Sequence, residues 1–315
     1  MYLYILSFLD TEILIYLVRY LNDMTETKIK CRFCKSDNVV RRGLSPCSSR
    51  GKQQRYLCKS CRKTFVHDNG FWKMKHSDKT ITMSIDMYLS NLSSRKMRNQ
   101  LGRHFSEKVS HVSVLDWVRK YVMKVNKYVE GLGFNLGDAF FADEIFINRQ
   151  RKDDRFWACV DWDTRLITGV HYSVAGNHKE AMEFIRKATK NKKPKYIQTD
   201  SAQFYKKAFR RWFYSNKIKG TVVEHKIQNY QKTRIHNYKI ETVFMKIKDR
   251  VKDFRGLKAL WSAPILMLGL TIQHNFIKPH TSTNRVPCEL AGVQLPAQNN
   301  RWLSLIQLSM NGCKN

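Results

Sequence analysis

The pattern of apolar and polar positions changes character twice along the chain. Residues 28–68 are short, turn-rich and cysteine-bearing. Residues 78–128 place apolar side chains at helical spacing and divide into three predicted helices, Thr80–Ser90, Ser94–His104 and His111–Lys127. The breaks fall at Asn91–Ser93 and Ser106–Ser110. In the third helix Val114, Val118, Tyr121, Val122 and Val125 form one stripe, and Arg119, Lys120 and Lys124 lie on other faces. Short helices with tight breaks and a basic last member predict a helix-turn-helix, although any small helical bundle shows the same stripe. Gly131–Gly137 (GLGFNLG) reads as a linker. From residue 138 the period changes. Ala139–Ile147, Phe156–Trp162 and Thr168–Val174 read as strands, followed by a helix over Lys179–Lys190 capped by Asn177. Then come a strand Tyr196–Thr199, a helix Ala202–Tyr214, a strand Thr221–Glu224 and a long helix Tyr238–Asp253. Ala259–Ile272 is strongly apolar but short, with Pro264 and Gly269 inside it, so it predicts a core helix and not a membrane span.

This order, β-β-β-α-β-α-β-α, predicts an α/β (α+β) chain with a ribonuclease-H-like domain over residues 138–295. Ahead of it stand a small cysteine module at 28–70 and the helices at 76–130, and a C-terminal tail occupies 296–315. The apolar extension 1–27 is interrupted by Asp10 and Glu12 and lacks the positive start and small-residue cleavage site of a signal peptide. It is assigned no role, and Met24 offers an alternative start. No membrane partner is expected.

Charge narrows the function. With 57 Lys+Arg against 26 Asp+Glu, the 315 residues carry +31 and a pI near 9.9. A surplus of that size opposes compactness unless a polyanion neutralises it, and phosphates reward clustered cations through counterion release. Nucleic acid is the expected partner.

Eight cysteines refine the N-terminal module. Cys31-x2-Cys34 and Cys58-x2-Cys61 are two turns that each bring two thiolates to one point, the pattern of a closed tetrahedral structural zinc site. Cys47 reads as a spare thiol, and Cys159 and Cys288 as buried small hydrophobes. Paired C-x-x-C turns in a basic chain fit a reducing cytoplasm, in association with the nucleoid.

A second constellation is acidic. Asp143 lies in an apolar strand, Asp200 closes the strand Tyr196–Thr199, and Glu241 begins the long helix, with Lys248 and Arg255 on its face. Three carboxylates from such positions can hold two Mg²⁺ ions for phosphodiester chemistry. Spacing alone leaves Glu144, Asp161, Asp163 and Glu224 as competitors.

Residues 28 to 295 resemble insertion-sequence transposases of the DDE class, in particular the IS6-like group with an N-terminal zinc ribbon and helix-turn-helix. The resemblance rests on seven blocks in order: GKQQRYLCKSCRKTF, VSHVSVLDWVRKYV, ADEIFI, WACVDWDTRLITG, YIQTDSAQFYKKAF, NYKIETVFMKIKDRVKDFRGL and HNFIKPH, the last followed by Pro287–Gly292. It implies Asp143, Asp200 and Glu241 as the catalytic acids, Mg²⁺ or Mn²⁺ as cofactor (two per site), and a homodimer or larger assembly on double-stranded DNA. It further implies cleavage at the element's terminal inverted repeats and strand transfer into a target. The chain departs from the group at Thr242, where a basic residue is usual, and at Phe244, where a His is common. The stretch after His280 (TSTNRVP) is also short.

The expected DNA contacts are Arg119, Lys120, Lys124, Lys206, Lys207, Arg210, Lys248 and Arg255. His274 and His280 read as packing residues, and Trp157 and Trp162 as core. A different class of reading, a DNA-binding regulator or an inactivated or domesticated transposase without catalysis, needs the ribbon and helices but not the three acids.

Overall fold

The computed structural model describes residues 29–47, 51–149, 152–214, 223–228, 238–252, 262–296 and 299–312. The extension 1–27 and Arg255 lie outside the described residues, and so do Thr221 and Asp253 from the ends of two predicted elements. The chain divides into two compact units between Ser77 and Asp78.

The first unit is a three-stranded antiparallel sheet, β1 (Val39–Cys47), β2 (Gly51–Cys58) and β3 (Thr64–Val66), in that order. Its buried centre is Cys31, Cys58 and Phe65, with Ile29, Val39, Tyr56 and Cys61 packed around it.

The second unit opens with three helices, α1 (Asp78–Leu89), α2 (Ser94–Phe105) and α3 (His111–Val129). Ser93 caps α2 by accepting from the Lys96 N–H, and Ser110 caps α3 by accepting from the Ser113 N–H. These serines are the physical origin of the breaks read from the sequence, because each gives an orphan N–H of the first turn a partner. Val114, Trp117, Val118, Tyr121, Val122 and Val125 of α3 are buried. That face packs against α7 (Ser262–Ile272) and α9 (Arg301–Gly312), between which the chain makes the short α8 (Pro287–Leu290), so the three helices share one compact unit with the sheet. Gly269 permits the approach: a Cβ there would lie 2.9 Å from Leu89 Cδ2 and 3.2 Å from Val122 Cγ2.

The sheet of this unit holds β4 (Ala139–Arg149), β5 (Lys152–Asp161), β6 (Ile167–Ser173), β7 (Tyr196–Thr199) and β8 (Glu224–Ile227), in the order β6-β5-β4-β7-β8. The first three strands form an antiparallel meander, and β7 and β8 run parallel to β4. Helix α4 (His178–Ala188) precedes β7 and α5 (Gln203–Phe209) follows it, extended by a π-helical turn over Arg210–Tyr214. Helix α6 (Tyr238–Lys252) packs on β4 and β5 through Phe244, whose ring meets that of Phe156 edge-on at 6.5 Å. The arrangement is a mixed α/β, ribonuclease-H-like fold.

Three local readings change. The linker Gly131–Gly137 is pinned: Asn135 N–H donates to the Ala291 carbonyl and Gly137 N–H to Asp161 Oδ2. The strand expected at Thr221–Glu224 lies at Glu224–Ile227, at a sheet edge where EHKI offers no apolar alternation. The tail carries α9, whose Trp302, Leu305, Ile306 and Ser309 are buried. Among the described residues no helix is long and apolar enough to cross a membrane.

Candidate active site and thiolate cluster

The acidic site starts from strand register. Strands β4 and β7 pair in parallel with Ala139 opposite Tyr196, Phe140 opposite Ile197 and Phe141 opposite Gln198. Each pair is separated by the same 57 positions that separate Asp143 from Asp200, so two further residues along both chains bring these carboxylates to neighbouring positions. They stand at the carboxyl end of parallel strands, where α/β folds present ligand-facing groups. Asp200 Oδ1 accepts the Ala202 N–H at 3.0 Å, which turns the chain into α5. Glu241 sits in the first turn of α6, half-buried, held over the sheet by the buried Ile240, Val243, Phe244 and Ile247.

The electrostatics of Asp143 report the cluster. Burial pushes its carboxyl up to about 7, and the neighbouring charges of Glu144, Asp200 and Glu241 push the same way. The Glu144 N–H, which donates to Asp143 Oδ1 at 2.9 Å, opposes them. A largely buried carboxylate among three others is stabilised by a cation more readily than by any arrangement of neutral donors. The donor set therefore fits a hard divalent ion bound through oxygen.

Glu144 plays a part that sequence reading left open. Its Oε1 accepts from Arg155 Nη1 and its Oε2 from the Tyr205 hydroxyl, both at 2.8 Å. Burial raises its pKa, and Tyr205 is fully buried on α5, two residues past the start of that helix. This bridge ties β4 to the helix that follows Asp200. A sequence signal existed: an acid directly after an apolar-strand acid has to find partners if both are buried. The other competitors have other tasks. Asp161 accepts from Gly137 N–H and from the backbone and hydroxyl of Thr164, Asp163 is exposed, and Glu224 is exposed with Lys226 Nζ 3.9 Å away.

The expected DNA-contacting cations distribute unevenly. Lys206, Lys207 and Arg210 are exposed along α5 and its π turn, directly after Asp200, and Lys248 is exposed on α6. On α3, Lys120 is exposed, Lys124 is half-buried, and Arg119 reaches Asp116 at 3.3 Å. Trp157 is fully buried and donates to Ser173 Oγ at 2.8 Å, whereas Trp162 lies half-buried beneath the Arg165 guanidinium, 3.3 Å from its ring centroid. His274 Nε2 donates to the Arg165 carbonyl oxygen at 2.9 Å, and His280 Nδ1 hydrogen-bonds the Ser282 hydroxyl at 2.9 Å. Cys159 and Cys288 are buried, and burial lifts their thiols to about 12 and about 11.

In the first unit Cys31, Cys34, Cys58 and Cys61 bring their sulfurs within 4.8 Å of one another. Among the described residues they are the one group of three or more His, Cys, Asp or Glu side chains that close, so the three acids are more widely spaced. The contacts Cys31–Cys61 at 3.6 Å and Cys34–Cys58 at 3.5 Å approach the edge of about 3.8 Å of a tetrahedron with 2.3 Å zinc–sulfur bonds. The Cys61 N–H holds the Cys58 thiol down at about 6 against the effect of its burial. The cluster fits a closed thiolate metal site.

Comparison with known proteins bears on the second unit. Residues 137–280 match the family of IS240-type transposase domains, described as a DDE domain. No curated protein matches the chain. Among solved structures, the HTLV-2 integrase catalytic core in complex with magnesium is 12% identical, with 51% of this chain and 99% of that chain covered and a TM-score of 0.36. An intasome of simian T-cell lymphotropic virus, in complex with a PP2A regulatory subunit, is 12% identical over 69% of this chain and 75% of that one, at a TM-score of 0.37. The BIV integrase core is 12% identical over 49% and 93%, at 0.35. Over residues 137–280, then, the chain carries a DDE transposase domain, the domain of a polynucleotidyl transferase.

Proposed function

We propose that the protein is the transposase of an insertion sequence, which binds the element's terminal inverted repeats, cleaves at the ends and transfers the freed 3′-hydroxyl into target DNA. The observation that carries this reading is the meeting of Asp143 and Asp200 through the β4–β7 register, with Glu241 close enough to raise the Asp143 carboxyl. In this reading these three carboxylates hold two Mg²⁺ or Mn²⁺ ions. Bound there, the ions would polarise the phosphodiester, activate the attacking oxygen and stabilise the leaving one. The match of residues 137–280 to a DDE domain supports it.

The remaining parts follow from charge. The ribbon at 28–70, holding Zn²⁺ through Cys31, Cys34, Cys58 and Cys61, and the helices at 76–130 bind the ends. Lys206, Lys207 and Arg210 are exposed directly after Asp200 and would hold the phosphates of the scissile strand; Lys248, exposed on α6, would extend that track, and Arg255, outside the described residues, is a further candidate from the sequence alone. Two ends must be processed together, so the working form is a homodimer or larger, and the site of action is the nucleoid in the cytoplasm.

The test is a gel assay of purified protein with labelled DNA from the gene's own flanks, Mg²⁺ or Mn²⁺, and Asp200→Asn as control. Metal-dependent nicking at a flank end that the variant lacks is the expected result. Tight binding with no cleavage in either metal would replace this reading with that of a DNA-binding regulator or an inactivated copy.

A further inference from the structure

The Cys31–Cys34 turn of the first unit carries an aromatic side chain that its core uses only at the edge. Phe33 is 50% exposed at the tip of the turn, and only its edge meets the buried Phe65, at 6.4 Å. A second ring, Trp72, is 37% exposed. The Arg32 guanidinium lies over both, 4.5 Å from the Trp72 centroid and 5.7 Å from that of Phe33, and Lys63 Nζ stands 5.0 Å from the Phe33 ring. Residues 29–77 carry thirteen Lys and Arg against two Asp.

Phosphate neutralisation alone explains the cations and not the rings. A ring left in water forgoes the free energy of burial, and the neighbouring charges exclude an apolar protein partner. In a duplex the faces of the bases are already stacked on one another. An unpaired nucleotide, by contrast, offers an open base face and a phosphate together, which are the two chemistries placed side by side here.

We infer that the Phe33–Trp72 surface of the cysteine module is a stacking platform for an unpaired base of single-stranded DNA, with Arg32 and Lys63 holding the adjoining phosphates. The inference rests on the reading of the chain as a DNA-acting protein and adds a substrate form that the duplex-binding helices do not address. Single strands arise wherever an end is opened for cleavage or joining.

The experiment uses the full-length, zinc-replete protein and reads fluorescence anisotropy with a labelled 20-nucleotide single strand and with a duplex of the same sequence across a salt series. Phe33→Ala should weaken single-strand binding by roughly tenfold, within the range of one base–aromatic stack, and leave duplex affinity unchanged. Its salt slope should match that of the unsubstituted protein, because stacking releases no counterions. Arg32→Ala with Lys63→Ala should instead flatten the slope. Thiol titration of zinc content and the second variant Trp72→Ala keep a misfolded ribbon from imitating the result. Equal loss on both substrates, or no loss on either, overturns the platform. Binding to neither substrate by the unsubstituted protein overturns it together with the DNA-acting reading, whereas duplex binding with an insensitive single strand overturns the platform alone.

Discussion

At position 143 the chain buries a carboxylate among other carboxylates, and that has a measurable cost. The Asp143 carboxyl is raised from 3.8 to about 7 by burial and by Glu144, Asp200 and Glu241. Between those two values the metal-free folded state binds more protons than the unfolded chain, so stability falls as pH rises from about 4 to about 7 and stays low above it. Asp143→Asn should therefore stabilise the chelated protein at pH 8, on the order of 2 kcal/mol, and have no such effect below pH 4. Thermal unfolding at the two pH values checks this. Added Mn²⁺ should raise the melting temperature of the unsubstituted protein more than that of the variant. The neighbouring bridge makes a separate prediction. Tyr205→Phe removes the hydroxyl that Glu144 Oε2 accepts at 2.8 Å and costs about 1.5–3 kcal/mol for a buried hydrogen bond to a charged group. If the bridge also positions Asp200 through α5, the Mn²⁺ concentration for half-maximal cleavage should rise severalfold. A lowered melting temperature with an unmoved metal midpoint would reduce the bridge to a purely structural role.

At the scale of elements, the sequence made most of the second unit legible because its helices announce their own caps and its central strands are apolar on both faces. Strand Tyr196–Thr199 and the starts of α2 and α3 coincide with their expected positions. What stayed hidden has physical causes. Strand β8 is an edge with Glu224, Lys226 and Ile227 exposed, so its order comes from pairing with β7 and not from a pattern of its own. Helix α9 did show the spacing of Trp302, Leu305, Ile306 and Ser309, and only its place near the end of the chain disguised it. The β4–β7 register was written in the 57-residue separation, yet spacing could not say which of several acids it aligned. Where β8 joins the sheet, His225 stacks on Phe209 at 3.9 Å and hydrogen-bonds Thr199 Oγ1 at 2.8 Å. Burial, with Lys206 beside it, lowers its pKa from 6.5 to about 4. The unfolded chain thus binds more protons between those values, and stability should be lost as pH falls through that window. His225→Gln should flatten this part of the stability profile in urea titrations between pH 4 and 6.5, and an unchanged slope would remove the histidine as its cause.

For the whole molecule the decisive contrast is between a unit with a large core and one whose described residues, 29–47 and 51–77, have almost none. Residues 78–315 bury the apolar faces of five strands and their covering helices, enough to fold without help. Among its described residues the first unit buries few apolar side chains, Cys31, Cys58, Phe65 and Phe71, and two of these are members of the thiolate cluster. The thirteen cations against two acids of residues 29–77 add self-repulsion. With a metal bound at the four cysteines, as proposed, such a module would draw its folding free energy from that metal, whose binding in comparable thiolate sites is worth on the order of 10 kcal/mol. A zinc-selective chelator that spares Mg²⁺ should therefore unfold residues 29–77 while the second unit keeps its transition. Limited proteolysis would then cut within the ribbon and leave a resistant fragment beginning near Asp78. The same treatment should remove the ribbon's share of DNA affinity and lower the salt slope, while Mg²⁺-dependent nicking of a short end duplex at low salt persists at reduced rate. Loss of both units in one cooperative transition would mean that the metal stabilises the chain as a whole, and that the cysteine module is built into the catalytic body instead of standing as a unit of its own.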